Sequence, residues 1–176
     1  MRAILERYCP VVRTASIDEF FLDFRGCERL YRHPGEVDGD VTLLRVVRDM
    51  REAIQREIGL PASAGVAATR AVAKMASGRA KPAGVLQVRR GEESAFASPL
   101  PVRKYPGIGP VAEARLVAAG VPTLGELLRH REGGGWLGEA ARIVHEGLTG
   151  PVPDLGENRT AFHELDVAGE AGGSLS

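Results

Sequence analysis

Two adjacent carboxylates, Asp18 and Glu19, interrupt an apolar segment that otherwise has the pattern of a buried strand, with Phe20, Phe21 and Leu22 following directly. Burying ionised side chains is unfavourable unless a cation or a hydrogen-bond donor compensates them. Mg²⁺ is typically held in proteins by one or two carboxylates together with substrate phosphates. The pair is therefore a candidate Mg²⁺ site. The alternative is a hairpin turn whose acids simply face water.

A glycine turn further along the chain is a second candidate site. Residues 106–110 read Pro-Gly-Ile-Gly-Pro, and a Gly-x-Gly turn between two short helices exposes backbone N–H groups to a phosphate oxygen. The basic pair ahead of it and the helix start after it favour a helix-hairpin-helix over an inert turn. Such a module holds nucleic-acid backbone without reading bases. The DNA-contacting residues predicted on this basis are Arg103, Lys104, Gly107, Ile108, Gly109 and Val111.

A third feature is Lys81, which lies in the segment Ala-Lys-Pro-Ala-Gly at 80–84. A lysine held by a Pro-Gly turn is well placed to meet a phosphate as a point charge. By itself such a lysine is ordinarily a solvated loop residue. Its significance comes from the other two features.

The elements that must position these residues alternate between strand and helix up to about residue 98. Apolar residues recur at helical spacing from Val41 to Ile58, with Asp40 as the expected N-cap. The predicted strands are 11–16, 20–24, 62–67 and 85–88, and the predicted helices are 1–8, 41–58, 70–77 and 92–97. This alternation predicts an α/β or α+β layer with helices on one side of a sheet.

From residue 99 the pattern becomes all-helical, with short helices predicted at 111–119, 124–129 and 137–148. We therefore predict three parts: an α/β unit at 1–98, a small helical unit at 99–152, and a linker with a disordered tail at 153–176. The tail is rich in Gly, Ser and acidic residues and has little to bury.

The composition limits the possible classes of protein. The net charge is zero, with 23 basic and 23 acidic side chains, so any binding of nucleic acid must rest on local geometry. The two cysteines, Cys9 and Cys27, lack a metal-ligand spacing and are too few for a disulfide scaffold. No apolar run approaches the length of a membrane span, and the charged start does not fit a signal peptide. These features predict a soluble intracellular protein.

The order of the motifs resembles the Y-family of translesion DNA polymerases, the DNA polymerase IV type in particular, over nearly all of residues 1–165. The matching segments are Ser-Ile-Asp-Glu at 16–19, Ala-Ser-Ala-Gly-Val-Ala at 62–67, Ala-Lys-Met-Ala-Ser at 73–77, Lys-Pro-Ala-Gly at 81–84, Leu-Pro-Val-Arg-Lys at 100–104 and Pro-Gly-Ile-Gly at 106–109.

The resemblance implies an α+β palm with a mixed sheet, followed by an all-α helix-hairpin-helix thumb that holds duplex DNA. It implies that Asp18 and Glu19 are catalytic and bind Mg²⁺ in a two-metal site, and that Lys81 contacts the incoming deoxynucleoside triphosphate. The implied partners are primer-template DNA and, for the intact protein, the sliding clamp. The implied location is the bacterial cytoplasm, at the nucleoid.

Two departures from the family pattern lie within the matched segments. Phe20 stands where the family has a small residue, and Thr69-Arg70 stands where the family has Asn-Lys. Arg70 keeps the positive charge, so we also expect it to contact nucleotide phosphate.

The family also has a first strand with a further metal-binding Asp and a steric-gate aromatic, a fingers subdomain and a little finger, none of which is recognisable here. The chain is therefore expected to be a palm remnant plus thumb, with an unpaired sheet edge. Because two-metal chemistry needs carboxylates on both sides of the ion pair, we expect this chain by itself to be inactive. The alternative is a non-catalytic relative that binds DNA as an accessory factor.

Overall fold

The computed structural model describes residues 1–150 and the backbone of residues 162–166. The helices are α1 (Arg2–Leu5), α2 (Glu28–Tyr31), α3 (Gly39–Ile58), α4 (Arg70–Arg79), α5 (Glu93–Ala97), α6 (Pro110–Ala118), α7 (Leu124–Leu128) and α8 (Gly135–Thr149), with a 3₁₀ turn at Val102–Lys104. The strands are β1 (Val11–Thr14), β2 (Glu19–Asp23), β3 (Ser63–Val66), β4 (Val85–Gln87) and β5 (Phe162–Asp166). Most predicted elements are present with ends displaced by one to three residues, as is usual where helices fray.

The five described strands form one mixed sheet in the order β1-β2-β5-β3-β4. β1 and β2 form an antiparallel hairpin, and β3 and β4 run parallel with α4 as the crossover between them. β5 is antiparallel to both of its neighbours, and Asp166 pairs in register with Glu19 on one side and Ser63 on the other. The α+β class with a mixed sheet is thus as predicted.

Strand β5 corrects the prediction that residues 153–176 are only linker and disordered tail. Residues 162–166 lie between β2 and β3 and pair with both strands. The remaining residues of that range lie outside the part that the structure describes. A strand in this position satisfies backbone N–H and C=O groups of both β2 and β3. A search for hydrophobic periodicity does not detect such backbone pairing.

The prediction that helices cover one side of the sheet is also wrong, because α3 and α4 lie on opposite faces. Alternate residues of β3, Ala64 and Val66, are buried with the apolar side of α3, whereas Gly65 between them meets α4. A Cβ built at Gly65 would lie 2.0 Å from the Ala73 carbonyl oxygen. Only glycine leaves room for this approach, and consecutive strand residues point to opposite faces.

Helix α3 begins two residues earlier than predicted, at Gly39, and its N-cap is Asp38 instead of Asp40. The Asp38 carboxylate accepts a hydrogen bond from the Asp40 N–H at 2.9 Å. The helix ends at Gly59, which has the left-handed φ of 69° common at helix C-termini. The helical spacing correctly placed Val47, Met50 and Ile54 on the buried side, which also includes Leu43 and Val46, whereas Val41 and Ile58 are exposed.

The helices from residue 102 onward pack against α4, so that α4 lies between the sheet and the helical layer. Val72, Met75 and Ala76 of α4 share one buried cluster with Leu124 and Leu148 of the helical layer. Helix α7 starts with a capping box, in which Thr123 and Glu126 satisfy each other's backbone N–H groups. Among the described residues, no helix combines the length and the apolar composition needed to cross a bilayer.

Candidate functional site

The β1–β2 hairpin positions the two candidate carboxylates. The N–H groups of Ala15 and Ser16 donate to the Glu19 carbonyl at 2.8 and 3.3 Å, which closes a loop over residues 15–18. Asp18 is exposed at the end of this loop, and the Ser16 hydroxyl donates to its Oδ1 at 2.7 Å. Glu19 is the first residue of β2. The hairpin therefore supplies the bend that two neighbouring carboxylates need in order to share one end of a strand.

Glu19 is held by Lys74, whose Nζ donates to the carboxylate Oε1 at 2.5 Å. The Glu19 side chain is 19% exposed and that of Lys74 is 39% exposed, so the pair is only partly screened by solvent. Sequence reasoning assigned no role to Lys74, although it lies in a recognised motif. The detectable signal was its spacing of four residues from Arg70, which places both cations on one side of α4.

Arg70 lies above the ring of Phe21, with its guanidinium carbon 3.9 Å from the ring centroid. Phe21 follows Glu19 by two positions and therefore shares its face of the sheet. Two residues of β2 are thus matched by two residues of α4, one turn apart. The aromatic face holds the Arg70 side chain in a contact that suits a planar guanidinium, and the predicted nucleotide contact at Arg70 stays a prediction.

A basic cavity of about 290 Å³ joins the carboxylate end of the sheet to the helical layer. It is lined by Glu19, four cationic side chains and apolar residues of α4 and its neighbours, the cations being Lys74, Arg79, Arg103 and Lys104. The structure therefore brings together two residues from the predicted DNA-contacting set and one predicted metal ligand. Arg70 and Lys81 do not line this cavity. A chain with zero net charge thus carries a concentrated positive site.

Lys81 lies in the turn between α4 and β4, and its side chain is exposed. The turn is closed by the Gly84 N–H, which donates to the Ala80 carbonyl at 2.8 Å. The turn joins the sheet where the Ala64 N–H donates to the Gly84 carbonyl at 2.9 Å. The Lys81–Pro82 peptide bond is cis.

The glycine turn (residues 106–110) is open to solvent. Gly107 has the positive φ of 101°, and a Cβ built at Gly107 or Gly109 would meet nothing within 4 Å. Gly109 is the N-cap of α6, so N–H groups at the start of that helix are accessible to a ligand. The element before the turn is the 3₁₀ turn Val102–Lys104, not an α-helix.

An apolar groove of about 610 Å³ lies between the glycine turn, α6 and α8. Ile108, Val111 and Ile143 line it, and Val111 is 85% exposed. At its side the Arg115 guanidinium lies 4.0 Å from the ring centroid of Trp136, the one tryptophan of the chain. The Arg115 guanidinium therefore contacts an aromatic ring next to the glycine turn.

Asp18 and Glu19 supply part of the ligand set that a hard cation needs. Two carboxylates are suitable ligands for Mg²⁺ when water or phosphate completes the shell. Among the described residues, however, no group of three or more His, Cys, Asp or Glu side chains converges. A cation at Glu19 would also compete with Lys74 for the carboxylate.

Comparisons with known proteins agree with the order of the motifs. The impB/mucB/samB family profile matches residues 1–78. The DNA polymerase IV 2 of Mesorhizobium japonicum is 39% identical over 130 residues, which cover 74% of this chain and 29% of that protein. The DNA polymerase IV of Moorella thermoacetica is 37% identical over 124 residues, which cover 70% of this chain and 29% of that protein. This chain therefore spans about 29% of the length of these curated relatives.

Solved structures show the same fold. The insertion ternary complex of Dbh DNA polymerase matches with a TM-score of 0.67 at 22% identity, over 87% of this chain and 44% of that one. The crystal structure of DinB from Sulfolobus solfataricus matches with a TM-score of 0.62 at 23% identity, over 82% of this chain and 41% of that one. Over the part of these proteins that it spans, the chain is similar in sequence to DNA polymerase IV and in fold to Dbh DNA polymerase, which confirms the resemblance.

Proposed function

We propose that this chain is part of a DNA-directed DNA polymerase, a nucleotidyltransferase that carries out Mg²⁺-dependent translesion synthesis in DNA repair. The observation that carries the proposal is the basic cavity, in which Glu19 lies beside Arg79, Arg103 and Lys104. Transfer of a nucleotide requires carboxylates for a metal next to cations that neutralise phosphate. A purely structural role would not require a carboxylate and several cations to line one cavity.

Some of the candidate residues would bind metal and others would bind phosphate. Asp18 and Glu19 would hold Mg²⁺, which when bound neutralises charge on the phosphates and helps to generate the attacking oxygen. Lys74 compensates the Glu19 carboxylate through its 2.5 Å ion pair and keeps the side chain oriented along the cavity wall. Lys81 and Arg70 would bind the phosphates of a deoxynucleoside triphosphate.

Primer-template DNA is the proposed macromolecular partner. Arg103 and Lys104 line the basic cavity, while Gly107, Ile108, Gly109 and Val111 form the exposed glycine turn and the start of α6. These two surfaces would hold the sugar-phosphate backbone without reading sequence. A sliding clamp as partner of the intact protein, and a cytoplasmic, nucleoid-associated location, follow from the family alone.

A second candidate function is a non-catalytic DNA-binding accessory. The observation in its favour is that, within the described part of the chain, no third potential ligand joins Asp18 and Glu19. On either proposal, the purified chain should bind duplex DNA yet fail to extend a primer with Mg²⁺ and deoxynucleotides. Extension by the chain alone, abolished by Asp18→Ala, would contradict that expectation.

A chimera separates the two candidates. We would replace the matching segment of the Mesorhizobium DNA polymerase IV 2 by this chain and measure primer extension. The polymerase proposal predicts activity that Asp18→Asn or Glu19→Gln lowers by about a thousand-fold, since metal ions contribute several kcal/mol to such reactions. Glu139→Gln, an exposed acid on α8, is the matched control. A chimera that works equally well with and without the two carboxylates would rule out the catalytic role.

A further inference from the structure

The turn that carries Lys81 (residues 80–84) has an unusual backbone. Ala83 has φ of +52°, in the left-handed region that a side chain disfavours. A Cβ added to Gly84 would lie 2.2 Å from the Ala80 carbonyl oxygen, so this position tolerates only glycine without rearrangement. Backbone of this kind persists when surrounding contacts over-determine it.

Arg51 of α3 supplies such a contact. Its Nε donates to the Ala62 carbonyl at 2.6 Å, just before β3, and its Nη2 donates to the Ala83 carbonyl in the turn. One planar guanidinium therefore joins three elements that are distant in sequence. Burial lowers the pKa of Arg51 below its ordinary value, yet an arginine side chain remains charged at neutral pH.

The contact acts on the part of the turn next to Lys81. The Ala83 carbonyl is two positions beyond Lys81, and the neighbouring Gly84 is paired to the sheet through the Ala64 N–H at 2.9 Å. The Ala62 and Ala83 carbonyls accept hydrogen bonds from the same planar guanidinium fork. The turn therefore cannot move away from the end of β3 without breaking a charge-assisted hydrogen bond. The Lys81 backbone is thereby held at a set distance from the sheet.

We propose that Arg51 is a positioning residue for Lys81, and that its fork to Ala62 and Ala83 holds the lysine where it meets the phosphates of the incoming nucleotide. This rests on the proposed function, in which Lys81 binds a deoxynucleoside triphosphate. Arg51 itself acts through the turn and not on the substrate. Lysine at position 51 keeps the charge but cannot bond both carbonyls in one plane, so it separates positioning from simple attraction.

The test measures binding of a fluorescent deoxyadenosine triphosphate analogue with Mg²⁺ to the 176-residue chain by anisotropy. The variants are Arg51→Met, Arg51→Lys, Lys81→Ala and the Arg51→Met/Lys81→Ala double variant. Arg48→Met, an exposed arginine one turn earlier on α3, is the matched control. Amide exchange at Gly84 and Ala64, followed by NMR without nucleotide, reports the state of the turn independently.

We expect Arg51→Met to speed exchange at both amides and to weaken nucleotide binding by about ten-fold, the size expected for one charge-assisted hydrogen bond. Arg51→Lys should not restore binding, Arg48→Met should match the wild type, and the double variant should be no weaker than Lys81→Ala, because both changes act on one contact. If Arg51→Met does not fold, Arg51→Lys, which keeps the aliphatic stem, carries the comparison.

The possible failures are distinguishable. If Lys81→Ala weakens binding while Arg51→Met and Arg51→Lys bind normally, the positioning role is wrong and the nucleotide role of Lys81 stands. Restoration of binding by Arg51→Lys shows attraction by charge and also overturns positioning. If the wild type does not bind the analogue, or Lys81→Ala binds as well as the wild type, the nucleotide role of Lys81 fails and the inference falls with it.

Discussion

The carboxylate site (Asp18, Glu19 and the basic cavity) and the glycine turn would bind phosphate in different ways. At the first, charged side chains from separate elements converge, with Lys74 on Glu19 at 2.5 Å. At the second, backbone is exposed beside an apolar groove, and nothing lies within 4 Å of a Cβ built at Gly107 or Gly109. Recognition by charge depends on tertiary packing, whereas recognition by backbone depends on the local absence of side chains. The two regions should therefore respond to different perturbations.

Removal of β5 should have the largest effect, and only on the carboxylate site. A chain ending at residue 160 loses the strand that pairs with both β2 and β3, so several backbone hydrogen bonds worth about 1 kcal/mol each are lost. Hydrogen exchange should become much faster in β2 and β3 and change little in α6–α8. A chain ending at residue 166 is the control. Equal protection of β2 in both chains would contradict the central place of β5.

Gly65→Val should separate α4 from the sheet. The built Cβ lies 2.0 Å from the Ala73 carbonyl oxygen and 2.5 Å from the Ser77 nitrogen, so α4 must shift and carry Lys74 with it. We expect a loss of about 3 kcal/mol in the free energy of unfolding, at the upper end for overpacking. Urea denaturation measures it, and Gly78→Val on the open side of α4 is the control for the valine itself. Unchanged stability would show that α4 does not rest on Gly65.

Gly109→Val should weaken DNA binding without affecting the fold. The backbone at Gly109 is extended, with φ of −83°, and the space around it is open, so valine fits but obstructs a close approach of phosphate. Gly107→Val is a poorer test, because φ of 101° would also strain the backbone. We expect duplex binding by the wild type in the non-specific range of about 10⁻⁴–10⁻⁶ M, with a log–log salt slope on the order of −2 to −3.

Fluorescence of Trp136, the single tryptophan, which lies beside the groove, and anisotropy of labelled duplex measure this binding. Gly109→Val should reduce affinity by about ten-fold, equivalent to the loss of one or two backbone hydrogen bonds. Affinity that responds to neither salt nor the substitution would make the helical layer a plain structural bundle. In that case only the carboxylate site would remain a candidate for binding phosphate.

Lys74→Met should have a smaller effect, confined to the carboxylate site. The ion pair with Glu19 is partly exposed, so its loss should lower the free energy of unfolding by less than about 1 kcal/mol. Mg²⁺ should then bind more tightly to the chain, because the competing ammonium is gone, as isothermal calorimetry would show. Lys104→Met, which lines the same cavity without a described bond to Glu19, is the control. Weaker Mg²⁺ binding in Lys74→Met would indicate that Lys74 organises the site for metal.

Glu36 provides a test that should spare both regions. Hydrogen bonds from Arg45, the His33 N–H and Thr42 lower the pKa of Glu36 to about 2. A lowered pKa means that the contribution to stability is complete above the ordinary value of 4.5 and is lost as pH falls from there toward 2. Glu36→Gln should flatten the dependence of Tm on pH between about 4.5 and 2, without changing DNA binding at neutral pH. An unchanged pH profile would contradict the shift.

Much of the local structure was predictable, because it depends on short-range sequence patterns. The apolar spacing along α3, the turn signals around residues 106–110 and the alternation of strands and helices each depend on neighbours within a few positions. The error at the N-cap of α3 was small, since Asp38 and Asp40 are both suitable caps. The candidate site was predictable in its residue types but not in its partners.

The sequence by itself indicated the family resemblance and the mixed α+β class and provided candidate residues for binding metal and phosphate, because motif order and local periodicity can be read without knowledge of packing. Only the tertiary structure decided that β5 lies between β2 and β3, that α4 covers the face opposite α3, and that Lys74 reaches Glu19 across 55 positions. It also decided that Arg103 and Lys104 share a cavity with Glu19. Such contacts depend on how faces pack in three dimensions, as at Gly65, where the absence of one side chain sets the position of a helix.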